Sequence, residues 1–151
     1  MPVDVLTVVE IHRPRDVVSE YAGDPDNAPK WYVNIKSVEW KTPRPLAVGS
    51  RLAFVAQFLG RGIAYTYEIV AWVPGERLMM RTAEGPFPME TEYCWESTNS
   101  GGTRMLLRNR GNPKGFSVVV APFMALAMRH ANKKDLAKLN QLLEQKDTPT
   151  L

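Results

Sequence analysis

The sequence predicts a single α+β domain in which a curved antiparallel sheet of about six or seven strands wraps on a long C-terminal helix. Three observations support this fold class. The 151 residues suit one domain with one hydrophobic core. Turn signals divide residues 35–111 into short strand-like runs. Beyond residue 117, apolar side chains recur at helical spacing, which predicts the closing helix.

The N-terminal part predicts one strand followed by two short helices. Residues 5–11 are rich in β-branched side chains, which favour a strand. Pro14 and Asp16 open the first short helix, because proline is tolerated where a helix has no N–H to satisfy. Turn residues at 23–29 precede Trp31 and Tyr32, a pattern typical of a second short helix or turn. We expect this segment to bring both aromatic side chains to the core.

The middle of the chain predicts an antiparallel meander, because its strand-like runs follow one another with short connections. Glycines near one of these turns predict a long strand that bends there. The turn signals are Pro43-Arg44-Pro45, Gly60-Arg61-Gly62, Pro74-Gly75, Glu84-Gly85-Pro86 and Asn99-Ser100-Gly101-Gly102.

Alternation along these runs predicts which side of the sheet is buried, since neighbouring strand residues face opposite ways. The apolar and aromatic members define an inner face, and acids on one strand and arginines on the next define an outer face in water. The inward set is Leu52, Phe54, Ala56, Phe58, Tyr65, Tyr67, Ile69, Met89, Thr91, Tyr93, Trp95, Met105, Leu107 and Asn109. The outward set includes Arg51, Glu68, Arg81, Glu90, Glu92, Glu96, Arg104, Arg108 and Arg110.

The C-terminal segment predicts a helix that begins near Ser117 or Ala121 and ends near Gln145. Pro122 lies in its first turn or kinks it. Residues 146–151 are polar and contain proline, so we expect a frayed tail after a core of about residues 3–145. One stripe of this helix must cover the sheet, and its members are Met128, Asn132, Leu136, Leu139 and Leu143.

Composition excludes several classes of function. The net charge of +3 is spread along the chain, whereas nucleic-acid binding needs a basic cluster. One cysteine and two distant histidines give no disulfide and no metal site, and we expect no cofactor. The first residues lack a signal-peptide pattern, and no run is long enough to span a membrane, so we expect a cytoplasmic, soluble protein. We expect a monomer or a weak dimer.

Short segments at the predicted turns and helix starts carry a family resemblance that extends from about Val3 to Glu144. They are residues 11–18 (IHRPRDVV), Trp31, residues 48–52 (VGSRL), 73–78 (VPGERL), 101–104 (GGTR) and 135–139 (DLAKL). In this order they resemble the START-like superfamily, in particular its polyketide cyclase/dehydrase group. The resemblance implies a helix-grip fold with a cavity between sheet and helix.

The implied cavity assigns a role to the inward side chains. Apolar and methionine side chains would form an adaptable wall, and hydroxyl or amide groups would need partners that a ligand or water supplies. The predicted ligand-binding residues are Phe54, Phe58, Tyr65, Tyr67, Ile69, Met80, Met89, Thr91, Tyr93, Trp95, Asn109, Met124 and Met128.

The leading prediction for function is binding or transport of a hydrophobic small molecule, lipid or polyketide-like, in this cavity. The alternative, which the resemblance implies, is an enzyme of the polyketide aromatase/cyclase type. Tyr65, Tyr67 and Tyr93 are its candidate catalytic residues, assisting enolisation and dehydration. A third reading, an interaction protein that uses the outer face, ranks last because the acid–base alternation predicts no exposed apolar patch there.

Other catalytic chemistry has less support from the sequence. The glutamates of the sheet fall on the outward register, so we expect no carboxylate of the sheet in the cavity. His130 lies about 200° around the helix from Met128, so we expect it in solvent. His12 follows the first strand in a polar run, and we expect it at the surface. Glutamates flank Cys94, and their charge raises a thiol pKa, so we expect no nucleophile there.

Overall fold

The structure is a computed structural model that describes residues 3–58, 60–85, 88–112 and 121–146. The predicted bend at 111–115 lies outside the described residues from 113 onward, and the predicted frayed tail does so from 147 onward. The Ser117 alternative for the helix start also lies outside them.

Within these ranges, seven strands and three α-helices follow one another in the predicted order, and a 3₁₀ turn at Pro25–Asn27 separates the first two helices. The strands are β1 (Val3–Ile11), β2 (Ile35–Trp40), β3 (Arg51–Phe58), β4 (Arg61–Val73), β5 (Arg77–Glu84), β6 (Met89–Ser97) and β7 (Thr103–Gly111). The helices are α1 (Arg15–Ala22), α2 (Ala28–Trp31) and α3 (Ala121–Lys146). The predicted fold class is thus confirmed, and Pro122 lies in the first turn of α3.

All seven strands form one antiparallel sheet in the order β1-β7-β6-β5-β4-β3-β2. Strand β4 is the longest, with 13 residues. Its register against β5 shifts between Thr66 and Tyr67 and again between Ile69 and Ala71. Such irregularities bend a strand and increase its twist. The predicted turn at Gly60-Arg61-Gly62 precedes this strand, and Gly60 has a positive φ of 76° there.

The inner face of the sheet and the stripe of α3 meet in the core, as predicted. Every predicted stripe residue on α3 is buried, and Leu136, Leu139 and Leu143 join the main core cluster. Trp31 of α2 is fully buried in the same cluster. Helix α3 packs along β1 and touches α2. Among the described helices, none has the length and apolar character needed to cross a membrane.

The outer face carries the predicted cross-strand ion pairs. Arg108 on β7 binds Asp4 on β1 with a nitrogen–oxygen distance of 2.7 Å, and Arg110 lies 3.1 Å from Glu90 on β6. The sequence predicted no exposed apolar patch on this face, but Leu6 and Val8 on β1 are exposed by 54% and 48%. The outer face therefore has an apolar strip beside the charges, because β1 alternates apolar residues on both of its faces.

Candidate ligand cavity

A cavity of about 150 Å³ lies between the sheet and α3, and the segment from Ala22 to Ala28 forms part of its wall. An engineered cavity of about 150 Å³ in another protein binds benzene. The volume in this structure therefore suits one ring or a short apolar chain, and a larger ligand would have to move side chains. Most of the wall is apolar or aromatic, which is typical of small-molecule sites.

Nine of the thirteen predicted ligand-binding residues line this cavity. They are Phe54, Tyr65, Tyr67, Met80, Met89, Thr91, Tyr93, Asn109 and Met128. All three tyrosines proposed as catalytic candidates are among them, so the sheet brings these hydroxyl groups to one space. Their role in binding or catalysis stays a prediction.

Three further predicted residues, Ile69, Trp95 and Met124, do not line the cavity. Ile69 and Trp95 are buried in the main core cluster, and Met124 is buried on α3. Trp95 is on the inner face, as expected, but α1 packs over its strand, and the turn at Gly23 lies against its ring. The side chain of Phe58 lies outside the described residues.

A buried chain of hydrogen bonds joins side chains of β4, β6 and β7, and it crosses β5, which lies between β4 and β6. The hydroxyl of Thr91 donates to Oδ1 of Asn109 at 2.7 Å. The hydroxyl of Tyr67 lies 3.0 Å from the same Thr91 oxygen. Because Thr91 has only one hydroxyl proton and gives it to Asn109, Tyr67 must be the donor to Thr91. The hydrogen bonds therefore run from β4 through β6 to β7, each hydroxyl donating to the next residue.

A second polar pair joins α2 to the sheet. The hydroxyl oxygens of Tyr32 and Tyr93 lie 2.5 Å apart, and the ring of Tyr32 lies on that of Trp31 with centroids 4.0 Å apart. Among the described residues, none provides a hydrogen-bond partner for the hydroxyl of Tyr65. That hydroxyl is therefore available to a molecule in the cavity.

Burial keeps the cavity tyrosines protonated. Loss of solvent raises the pKa of Tyr67 to about 12. Burial also raises the pKa of Tyr32, Tyr65 and Tyr93 well above the usual tyrosine range. At neutral pH these side chains can donate hydrogen bonds, but they cannot act as bases.

Asp135 is a cavity residue that the sequence analysis missed. It lines the cavity from α3, and its Oδ1 accepts the backbone N–H of Val33 at 2.8 Å. Burial raises the pKa of this carboxyl to about 6, while the Val33 hydrogen bond and the charge of Lys138 act in the opposite direction. Strand alternation predicts the position of the sheet glutamates alone, and none of the described ones lines the cavity.

The spacing along α3 contains the signal that would have found Asp135. Met128, Asn132 and Asp135 follow one another at steps of four and three, so they share one face of a helix. Asn132 also lines the cavity, and its Nδ2 is buried without a partner among the described residues. The predicted stripe on α3 instead continues from Asn132 to Leu136, which lies next to Asp135 and is also buried.

The fold and this site define a helix-grip protein with an internal, mainly apolar cavity. The model of the family described as polyketide cyclase / dehydrase and lipid transport matches residues 2–146. The chain therefore belongs to this family, and the resemblance seen in the sequence is confirmed. No curated protein matches the chain.

Solved structures share the fold at low sequence identity. A protein from Thermus thermophilus superimposes with a TM-score of 0.82 at 18% identity, covering 96% of this chain and 99% of its own. The Zhui aromatase/cyclase from a Streptomyces species gives a TM-score of 0.82 at 15% identity, with 98% and 97% covered. A START superfamily protein from Mycobacterium smegmatis gives 0.81 at 14% identity, with 94% and 97% covered. At these identities the likeness concerns the fold alone.

Proposed function

We propose that this chain binds or carries a small hydrophobic molecule, lipid or polyketide-like, inside its cavity. The observation that carries the proposal is the wall itself, which combines apolar and aromatic side chains with a few polar groups that point to one space. The unpartnered hydroxyl of Tyr65 would orient a polar group of the ligand. Family membership agrees with such a role, since lipid transport is part of the family description.

Native mass spectrometry of the purified protein, compared with the denatured sample, tests this function directly. We expect a small molecule that is present under native conditions and lost on denaturation, and its mass would identify it. The same sample is then titrated with an environment-sensitive fluorescent apolar probe to measure binding at the empty cavity.

Two tryptophan substitutions on α3 provide a matched pair for the probe titration. Ala131 lines the cavity, so Ala131→Trp is expected to fill it and to weaken probe binding at least about tenfold. Ala137 on the same helix is exposed, and Ala137→Trp should leave binding unchanged. Equal binding by both variants would place the probe elsewhere and contradict the proposal.

A second candidate function is an enzyme of the aromatase/cyclase type, and Asp135 is the observation that favours it. A carboxyl with a pKa of about 6 can exchange a proton near neutral pH, and the hydroxyl of Tyr65, which has no described partner, can donate a hydrogen bond to a developing enolate. Turnover of a linear poly-β-ketone surrogate should fall on Asp135→Asn or Tyr65→Phe. Unchanged turnover in both variants would remove this function.

A further inference from the structure

The described residues of the cavity lining carry formal charge of one sign only. Among the described residues that line it, the charged ones are Asp24 and Asp135, and none is lysine, arginine or histidine. Asp24 already accepts the backbone N–H of Asp26 at 3.0 Å through its Oδ1. The electrostatic potential inside the cavity is therefore favourable for a cation and unfavourable for an anion.

Asp135 is a buried carboxylate whose set of partners is incomplete. Its side chain is 3% exposed, and of its two oxygens only Oδ1 has a donor among the described residues, the N–H of Val33. Buried charges in proteins are normally paired, because an isolated charge loses its hydration without compensation. The second oxygen therefore lacks a partner of the kind that buried carboxylates usually have.

The groups around Asp135 do not provide the missing cation on the cavity side. Tyr32 directly after α2, Tyr65 on β4 and Tyr93 on β6 are close enough to feel its charge, and all three are neutral. Lys138, one turn further along α3, is exposed to solvent. Asn132, one turn before, is 4% exposed with an unpartnered Nδ2. This end of the cavity thus has two polar side chains without full hydrogen bonding.

Aromatic rings face the same space. Tyr65 lies with its ring centroid 5.0 Å from that of Tyr67 and 5.6 Å from that of Phe54. Faces of such rings attract cations through their quadrupole, and proteins use clusters of them to hold ammonium groups. An ammonium group near Asp135 would therefore meet both a carboxylate and a wall of aromatic rings.

We infer, given the binding function proposed above, that the ligand is a small, mainly apolar amine whose ammonium group pairs with Asp135 and whose apolar part lies among the aromatic side chains. A fatty carboxylate would bring a second negative charge to the same end of the cavity, where no cation of the described lining could receive it. The volume of about 150 Å³ sets the size at about one ring.

Three probes of the same shape test this inference: 2-phenylethylamine, 2-phenylethanol and phenylacetate. Dissociation constants are measured by NMR titration of the full chain at about pH 8, where Asp135 is ionised. The amine is expected to bind at least about tenfold more tightly than the alcohol, and phenylacetate more weakly than both. The preference should shrink at about pH 5, where Asp135 gains a proton while the amine remains charged.

Asp135→Asn removes the charge and keeps an oxygen that accepts the Val33 N–H, so the variant is expected to fold. It should bind the amine and the alcohol about equally. The matched control is Asp16→Asn on α1, where the carboxylate is exposed, and this variant should retain the preference for the amine.

The outcomes separate the inference from the function on which it rests. Phenylacetate that binds as well as the amine, or an amine preference that survives Asp135→Asn, would overturn the inference while leaving a ligand-binding cavity in place. Failure of all three probes to bind would overturn both.

Discussion

The hydroxyl groups of Tyr32 and Tyr93 lie 2.5 Å apart although 61 positions separate the two residues. This contact ties the segment after α2 to the inner face of β6, at the wall of the cavity. Both rings pack against Trp31, with the Tyr93 centroid 5.8 Å from that of Trp31, and Tyr93 is buried while Tyr32 is partly buried. Each hydroxyl thus depends on the other for a hydrogen bond away from water.

Tyr32→Phe and Tyr93→Phe should each lower the free energy of unfolding by about 1–3 kcal/mol, because each leaves the other hydroxyl buried without its partner. The double variant should cost less than the sum of the two, since it leaves no orphaned group. Urea unfolding at constant pH measures all three. Tyr65→Phe is the control, because its hydroxyl has no described partner to lose. If the double variant lost the sum of the two single losses, the contact between Tyr32 and Tyr93 would be contradicted.

Asp135→Asn should change how stability depends on pH. The folded-state pKa of about 6 lies above the reference value of 3.8, so the folded chain holds this proton longer than the unfolded chain does. Between these two pKa values the free energy of unfolding of the natural chain falls as pH rises. Above about pH 6 the folded chain bears the full cost of an ionised, buried Asp135. Below about pH 4 both states are protonated and the cost vanishes.

We therefore expect Asp135→Asn to be more stable than the natural chain at about pH 8, by up to roughly 3 kcal/mol, and to lose this advantage below about pH 4. Urea unfolding curves at both pH values provide the comparison. Asp16→Asn should show no such gain at high pH. If the variant were more stable by the same amount at both pH values, ionisation of Asp135 would not be the cause of the difference.

Thr91→Val should interrupt the buried chain of hydrogen bonds at its centre. The substitution preserves shape but leaves the Tyr67 hydroxyl without its acceptor and Asn109 Oδ1 without its donor, for an expected loss of about 1–3 kcal/mol. Thermal or urea unfolding gives the value. Thr66 is half-buried on β4 and takes no part in these hydrogen bonds, so Thr66→Val should change the free energy of unfolding by less than about 0.5 kcal/mol. Equal losses for the two variants would argue against the hydrogen bonds between Tyr67, Thr91 and Asn109.

Cys94 should react slowly with alkylating reagents. Burial raises the pKa of its thiol, and the charge of Glu92 adds to the effect, so little thiolate is present near neutral pH. Labelling with iodoacetamide at about pH 7.5 should be slower in the native chain than in the same chain unfolded in urea. A native rate equal to or above the unfolded rate would show an activated cysteine, contrary to this expectation.

The fold could be predicted because its signals are local. Period-two alternation assigned the inner residues of the sheet correctly, from Leu52 on β3 to Asn109 on β7. Spacing on α3 likewise identified its buried stripe. Glycine also indicated the turn at Gly60, whereas the register shifts of β4 against β5 lie in the middle of the strand, where the sequence has no glycine.

The cavity was less predictable because it depends on which elements cover which part of the sheet. Trp95 and Tyr93 lie two residues apart on the same face of β6, yet α1 covers the first and leaves the second at the cavity. Nothing in the alternation distinguishes them. Asp135 was not predictable for a different reason. A carboxylate next to a stripe of leucines indicates a surface position, and only its partner, the backbone N–H of the distant Val33, reveals that it is buried.

The wall of the cavity is assembled from residues between Ala22, close to the start of the chain, and Asp135, close to its end. No segment of the chain contains the cavity by itself, so it forms only when sheet and closing helix have come together. A molecule that occupies it can recognise the native state alone, and it then raises the free energy of unfolding by RT ln(1 + L/Kd), where L is its free concentration. The stability of the folded chain would in that way follow the supply of its ligand.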